Sequence, residues 1–318
     1  MNVLITGAAG FIGSQLVTAL QQHEEVNNLA IIATDIKEQP PFALTANTEY
    51  VPLDIRSPEL SDLIHAKQID IIVHLASIVT PGKKSNRQFE YSVDVGGTKN
   101  VLQACIEHNV KRIIVTSSGA AYGYYADNSE WISEEHDIRG NEAFAYAYHK
   151  RLVEEMLANY REKYPQLQQT IFRVGTILGE NVNNQITALF EKRFVIGVRG
   201  SDSPFVFIWD KDVVNCLQRA IFSEQTGIFN VAGDGALTID DIGTILGKKV
   251  IRIPVSLLTV ALFILKRLRL TQYGEEQIDF LRYRPVLANE KLKREFSYKP
   301  LYTSEEAFRK YCEHKWLS

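Results

Sequence analysis

The sequence predicts an α/β protein with a doubly wound parallel sheet and a smaller C-terminal substrate-binding lobe, and three observations carry that prediction. Short apolar runs alternate with helix-compatible segments as far as Val231. A glycine loop, Gly7-Ala8-Ala9-Gly10-Phe11-Ile12-Gly13, follows the first run and opens a helical pattern. A carboxylate, Asp35, ends the second run about 20 residues past the last glycine, the spacing of a dinucleotide-binding unit.

The elements follow in order. Asn2-Val3-Leu4-Ile5 reads as a short buried strand, and Leu16, Val17 and Leu20 mark the apolar face of the helix after the glycine loop. Glycines let a backbone turn sharply and approach a pyrophosphate, whose charge meets the free amides of the helix start. Here the spacing is Gly-x-x-Gly-x-x-Gly. Leu29 to Thr34 reads as the second strand, and an acid at its end accepts ribose hydroxyls and repels a ribose phosphate, which favours NAD over NADP despite Lys37 nearby. Further strands are expected at 50–54, 69–76, 112–117, 170–174 and 227–231. Right-handed crossovers would put their C-terminal ends on one rim, with Gly7, Asp35, Asp54, Ala76 and Ser118 along it. The expected division is a dinucleotide-binding domain at 1–174, joined again by 205–232, and a substrate-binding lobe formed by 175–204 and 233–318. Polar loops at Gly179 to Gln185 and Arg199 to Pro204 suit such a lobe.

Composition limits the function classes. The chain has 318 residues, 45% of them hydrophobic, enough for a large core, and its formal charge of -3 gives no electrostatic case for a nucleic-acid partner. Cys105, Cys216 and Cys312 match no metal spacing and read as reduced thiols, so no metal is expected. The first residues already read as a strand, with no place for a signal peptide, and a cytoplasmic protein is the expectation.

The chemistry is suggested by Tyr146 and Lys150, one helical turn apart. A neighbouring ammonium favours the phenolate and brings a Tyr toward acid or base duty near neutral pH.

These residues together resemble an extended short-chain dehydrogenase/reductase of the NAD-dependent epimerase/dehydratase family, close in pattern to UDP-glucose 4-epimerases. The resemblance runs nearly end to end: the glycine loop, Asp35, Asp54-Ile55-Arg56, His74-Leu75-Ala76, Gly97-Thr98-Lys99-Asn100-Val101, Ser117 to Gly123, and Tyr146 with Lys150. It implies that NAD is held by Gly7, Gly10, Phe11, Ile12, Gly13, Asp35, Leu75 and Ala76, with Asp54 and Ile55 at the adenine and Lys150 at the nicotinamide ribose. It implies Tyr146 as acid/base and Ser118, or else Ser117, as the hydroxyl partner. A homodimer through helices containing 97–108 and 146–160 is also implied.

Departures from the family pattern narrow the reaction. Dehydratases follow the catalytic hydroxyl with Asp-Glu, where this chain has Gly119 and Ala120, so epimerisation is favoured over dehydration. Asp94 stands where the pattern has Asn, Thr176 where epimerases have a substrate-contacting Asn, and Phe205 where they have a phosphate-binding Arg. Arg199, Arg282 or Arg284 could supply the missing cation.

Two alternatives remain: an NAD-dependent dehydrogenase of an apolar or steroid-like alcohol, and a non-catalytic NAD-binding protein. The apolar stretch Ile253 to Leu265, followed by Lys266-Arg267-Leu268-Arg269, is too short to span a bilayer. It reads either as a helix packed over the substrate site or at a subunit contact, or as a weak membrane-surface contact through 253–269. Tyr122, Tyr124, Tyr125 and Trp131 could line a pocket or pack the core. His74 is expected to be structural and His149 to lie on a helix surface.

Overall fold

The computed structural model describes residues 1–23, 28–79, 86–184, 186–268, 274 and 277–316. The end of the first polar loop, Gln185, and the last basic residue after the apolar stretch, Arg269, lie outside the described residues.

The strands are β1 (Asn2–Thr6), β2 (Ala30–Asp35), β3 (Thr48–Pro52), β4 (Ile71–His74), β5 (Arg112–Ser118), β6 (Gln168–Val174), β7 (Thr176–Leu178), β8 (Val195–Val198), β9 (Phe207–Trp209), β10 (Gly227–Val231) and β11 (Val250–Ile253). The helices are α1 (Phe11–Gln21), α2 (Glu59–Ala66), α3 (Arg87–Tyr91), α4 (Thr98–Glu107), α5 (Ala145–Lys163), α6 (Thr187–Phe190), α7 (Asp210–Phe222), α8 (Ile239–Leu246), α9 (Val255–Arg267), α10 (Gln277–Arg282), α11 (Glu290–Arg294) and α12 (Ser304–Trp316).

Seven strands form one parallel sheet in the order β10-β6-β5-β4-β1-β2-β3. Apart from the half-exposed edge strand β3, their apolar runs are largely buried because helices cover both faces. Leu16, Val17 and Leu20 of α1 pack with Val213 and Leu217 of α7 on one face. Leu60 of α2, Val101 of α4 and Val153 of α5 pack on the other. The chain runs outward from β1 in both directions, through β2 and β3 and through β4 to β6, so a switch point opens between β1 and β4.

Two strands differ from expectation: β4 is shorter than 69–76, and β3 lies two residues earlier than 50–54. β4 stops at His74 because the Leu75 amide donates to Thr6 O at 3.1 Å and the Ala76 amide turns to Thr6 Oγ1 at 3.4 Å, which bends the chain over the end of β1. β3 stops at Pro52, and Asp54 lies beyond the strand in a turn closed by Ser57 N to Asp54 O at 2.8 Å. The remaining strands pair as β7 with β9 and β8 with β11. Around them Phe190, Phe205, Phe207, Trp209, Phe308 and Tyr311 build a second, aromatic core.

Candidate active site

The glycine loop is fixed by contacts that admit no side chain. Gly7 has φ of +69°, and a Cβ there would stand 2.7 Å from the Ala76 amide nitrogen. A Cβ on Gly13 would meet the Gly7 carbonyl at 2.3 Å, so only glycine lets α1 approach β1 this closely. α1 starts at Phe11 with no side-chain cap and no acid in its first turn, leaving its amides and dipole for an anion. Asp35 accepts from the Ala9 amide at 3.1 Å, tying the β2 carboxylate to the loop. Lys37 Nζ donates to Ala9 O at 2.8 Å. A crevice lined by backbone amides and closed by a carboxylate fits a dinucleotide pyrophosphate and ribose.

The catalytic candidates meet where β5 ends and α5 begins. Ser117 and Ser118 leave β5 toward opposite sides, as successive strand residues must. Ser117 donates to Glu154 at 2.5 Å, and Glu154 is in turn clamped by Arg173 at 2.7 Å, so Ser117 is held in a buried ionic network. Ser118 faces the cavity, and its Oγ also accepts the Ala120 amide at 3.2 Å at the start of a short 3₁₀ turn. Ser118 therefore both lines the cavity and caps the short turn. Lys150 is buried at 7% exposure and donates to Thr116 O at 3.1 Å, and its ammonium stands 5.7 Å from the centroid of the Tyr146 ring.

One cavity of about 960 Å³ joins these groups. Its walls include Gly7, Gly10, Phe11, Ile12, Gly13, Leu75, Ser118, Tyr146, Lys150, Thr176 and Arg284. Asp35, Asp54, Ile55, Ala76, Arg199 and Arg282 lie off its lining. Asp54 is clasped by Arg56 at 2.6 Å, and that hydrogen bond holds its carboxyl below the usual range. Ile55 is buried, with its carbonyl taken by Asn100 Nδ2 at 2.7 Å. Arg199 is exposed beside β11, and Arg282 lies over the Tyr283 ring at 4.5 Å.

Arg284 is the candidate cation that reaches the cavity. Its guanidinium lies 3.7 Å from the centroid of Phe205, the residue at the expected phosphate-binding position, and donates to Ser203 O at 3.0 Å. Among the described residues no carboxylate pairs with it, and its Nε has no partner. Burial draws its pKa down to about 9, which still leaves a cation at neutral pH in need of an anion.

The sequence reading named Tyr124 as either pocket or packing, and it is both. It packs edge-on against Phe144 at 5.4 Å and Phe280 at 5.3 Å, and all three rings line the cavity. Phe144 and Phe280 carried no sequence signal of their own, although Phe144 lies two residues before Tyr146. Tyr122 is packing: its hydroxyl lies 2.9 Å from Asn230 Oδ1 and receives Arg173 at 2.8 Å. Tyr125 lies under the Arg139 guanidinium at 4.7 Å, and Trp131 is exposed.

The histidines divide. His74 is structural as expected, held between Thr6 Oγ1 at 2.8 Å and Thr98 Oγ1 at 3.0 Å. His149 corrects the expectation of a surface residue: it is 1% exposed, and its Nδ1 lies 3.2 Å from Asp94 Oδ2. The face of α5 that carries it turns inward against the π-helical turn Ser92–Gly97, which the i+4 spacing of Tyr146 and Lys150 could not reveal.

Comparison with known proteins follows the same lines. The model of a family described as the NAD dependent epimerase/dehydratase family matches residues 3–232. An uncharacterized protein of Mycobacterium tuberculosis is 23% identical over 321 residues, 99% of this chain and 84% of the relative. A UDP-glucose 4-epimerase of Yersinia pestis is 32% identical over 186 residues, 56% of this chain and 54% of the relative. Among solved structures, the UDP-glucose 4-epimerase of Thermotoga maritima with UDP-glucose superposes with a TM-score of 0.74 at 20% identity, over 99% of this chain and 98% of that one.

Proposed function

Because this chain belongs to the NAD dependent epimerase/dehydratase family, we propose that it is an NAD-dependent enzyme that epimerises a nucleotide sugar, with a UDP-sugar 4-epimerase reaction as the specific reading. One observation carries it. Arg284, a cation without a carboxylate partner among the described residues, lies on the wall of the cavity that also holds Ser118, Tyr146 and Lys150. A nucleoside diphosphate would bring the charge that this guanidinium lacks, and the sugar would then extend toward Tyr146.

Each residue has an assignment. Gly7, Gly10, Phe11, Ile12 and Gly13 hold the pyrophosphate, Asp35 the ribose hydroxyls, Leu75 and Ala76 the floor, and Asp54 with Ile55 the adenine. Bound there, NAD would supply the hydride acceptor and donor for the carbon being inverted. Tyr146 takes the proton from the sugar hydroxyl, and Ser118 donates to the oxygen as charge develops. Gly119 and Ala120 offer no acid or base for removing water, which disfavours dehydration. Thr176 and the lobe formed by 175–204 and 233–318 would face the sugar. Asp35, with Lys37 engaged by Ala9, favours NAD over NADP.

A second reading rests on the aromatic wall. Tyr124, Phe144 and Phe280 would suit an apolar alcohol, oxidised to a ketone that leaves. The experiment that separates the two is incubation of the purified protein with UDP-glucose, following UDP-galactose by chromatography and the nicotinamide absorbance in parallel. Formation of the epimer without net NADH supports the first reading. NADH accumulating with hydrophobic alcohols, and no epimer from any UDP-sugar, would replace it with the second.

A further inference from the structure

Helix α9 is unlike the other long helices of the protein, because none of its described residues is buried. Leu257, Val260, Phe263, Ile264 and the following Leu268 are between 48% and 62% exposed. At 100° per residue these five fall within one arc of the helix surface. Leu258 and Leu262 on the other side are half-buried, and α9 contacts α10. The helix is thus seated on the protein by one apolar face and shows a second apolar face to solvent. Single exposed apolar residues need no explanation, but five in one stripe do.

Charge says what covers it. From Val255 to Leu268 the chain has no Asp or Glu, and Lys266 and Arg267 close the helix. The whole chain carries a formal charge of -3, so this basic end is local and not a share of a general positive charge. An apolar stripe ending in cations complements an anionic lipid surface, with the stripe at the acyl boundary and the cations among headgroups. Thirteen helical residues reach only about 20 Å, short of the roughly 30 Å of a bilayer core, so the helix would lie in the interface.

We propose that α9 docks the protein on an anionic lipid bilayer. Lys266 is also among the residues lining the active-site cavity, so docking would bring the cavity mouth to the membrane surface. This proposal does not depend on which substrate the cavity takes.

The test is co-sedimentation of the full chain, with NAD, on vesicles of phosphatidylcholine and on vesicles of phosphatidylcholine with phosphatidylglycerol. Binding is expected on the anionic vesicles, weaker in high salt, and reduced roughly tenfold or more in the triple variant Leu257→Ser, Val260→Ser, Phe263→Ser. Unchanged NAD affinity and thermal midpoint in the variant confirm that the fold survives. Three results would overturn the proposal: no binding to anionic vesicles, equal binding to both vesicle types, or a solution dimer that the triple variant converts to a monomer, which makes the stripe a subunit contact.

Discussion

The guanidinium of Arg284 lies over the ring of Phe205, 3.7 Å from its centroid, so the residue at the expected phosphate-binding position carries a cation from elsewhere in the chain. The ring confines the guanidinium plane, and Ser203 holds one end of it. A confined planar cation can offer two parallel donors to a phosphate.

Arg284→Ala is therefore expected to weaken UDP binding by about ten- to a hundredfold, a charge-assisted hydrogen-bond pair lost. Arg284→Lys should recover little, since an ammonium neither stacks on Phe205 nor forms a fork. Calorimetric titration with UDP measures both. Unaltered affinity in the Ala variant would remove Arg284 from the diphosphate site.

Tyr146→Phe keeps the ring beside Lys150 and deletes only the ionisable oxygen. Turnover should fall by about a hundred- to ten-thousandfold, with NAD affinity nearly unchanged, as loss of a general acid or base requires. Ser118→Ala should cost less, because it removes one donor to the reacting oxygen and leaves the proton acceptor. Ser117→Ala tests the neighbour. It breaks the contact with Glu154 and should lower stability without a comparable loss of turnover. Rates on the same UDP-sugar, set beside urea midpoints, separate these effects.

Much of the architecture was legible because its signals are local. All seven strands of the main sheet left a run in the sequence: the inner ones are buried on both faces and so are largely apolar, the half-exposed edge strand β3 showed only through Tyr50 and Val51, and the glycine loop is readable because no Cβ fits at Gly7 or Gly13. The reading of His149 failed for a physical reason. Helix periodicity orders residues around an axis but does not say how many sides of that axis are covered, and α5 is packed on the side of His149 by the turn holding Asp94. Phe280 and Arg284 reach the cavity from more than a hundred residues beyond Tyr146, a closeness that only tertiary folding creates. Three arginines looked equivalent on paper. The chain after α10 turns Arg284 inward, while Arg199, just past β8, stays at the surface.

The Asp94 and His149 pair makes its own prediction. Asp94 Oδ1 accepts from Ser77 Oγ at 3.0 Å and from the Ile78 amide at 2.8 Å, while Oδ2 faces His149 Nδ1. A carboxylate only accepts, so Nδ1 carries the hydrogen, and Nε2 is left without a partner among the described residues. In Asp94→Asn the amide oxygen can keep Ser77 and Ile78 while the amide nitrogen donates to Nδ1, provided the ring hydrogen moves to Nε2. The expected loss is on the order of 1 kcal/mol, because the hydrogen moved to Nε2 finds no acceptor among the described residues, against about 2 to 3 kcal/mol for Asp94→Leu, which strands the donors of Ser77, Ile78 and His149 together. Urea unfolding gives the energies, and nitrogen NMR of the His149 ring reports the moved hydrogen. Equal losses in the two variants would mean that the amide cannot take over.

His74 gives a pH dependence whose sign is fixed by its burial. Enclosed between Thr6 and Thr98, it has its pKa lowered from 6.5 to about 4, chiefly by desolvation and further by the Lys150 charge, with Asp94 opposing. Between those two values the unfolded chain binds a proton that the folded protein excludes, so stability rises with pH across that window. The contribution is complete above the unfolded pKa and is lost as pH falls through 6.5 toward 4, in all on the order of 3 kcal/mol. Many carboxylates also titrate there, so the informative quantity is a difference. Urea unfolding of the wild type and of His74→Asn at matched pH should give stability curves that converge as the pH drops from 7 to 4.5, because the variant has no imidazole to protonate. Parallel curves over that interval would mean that His74 does not couple folding to the proton.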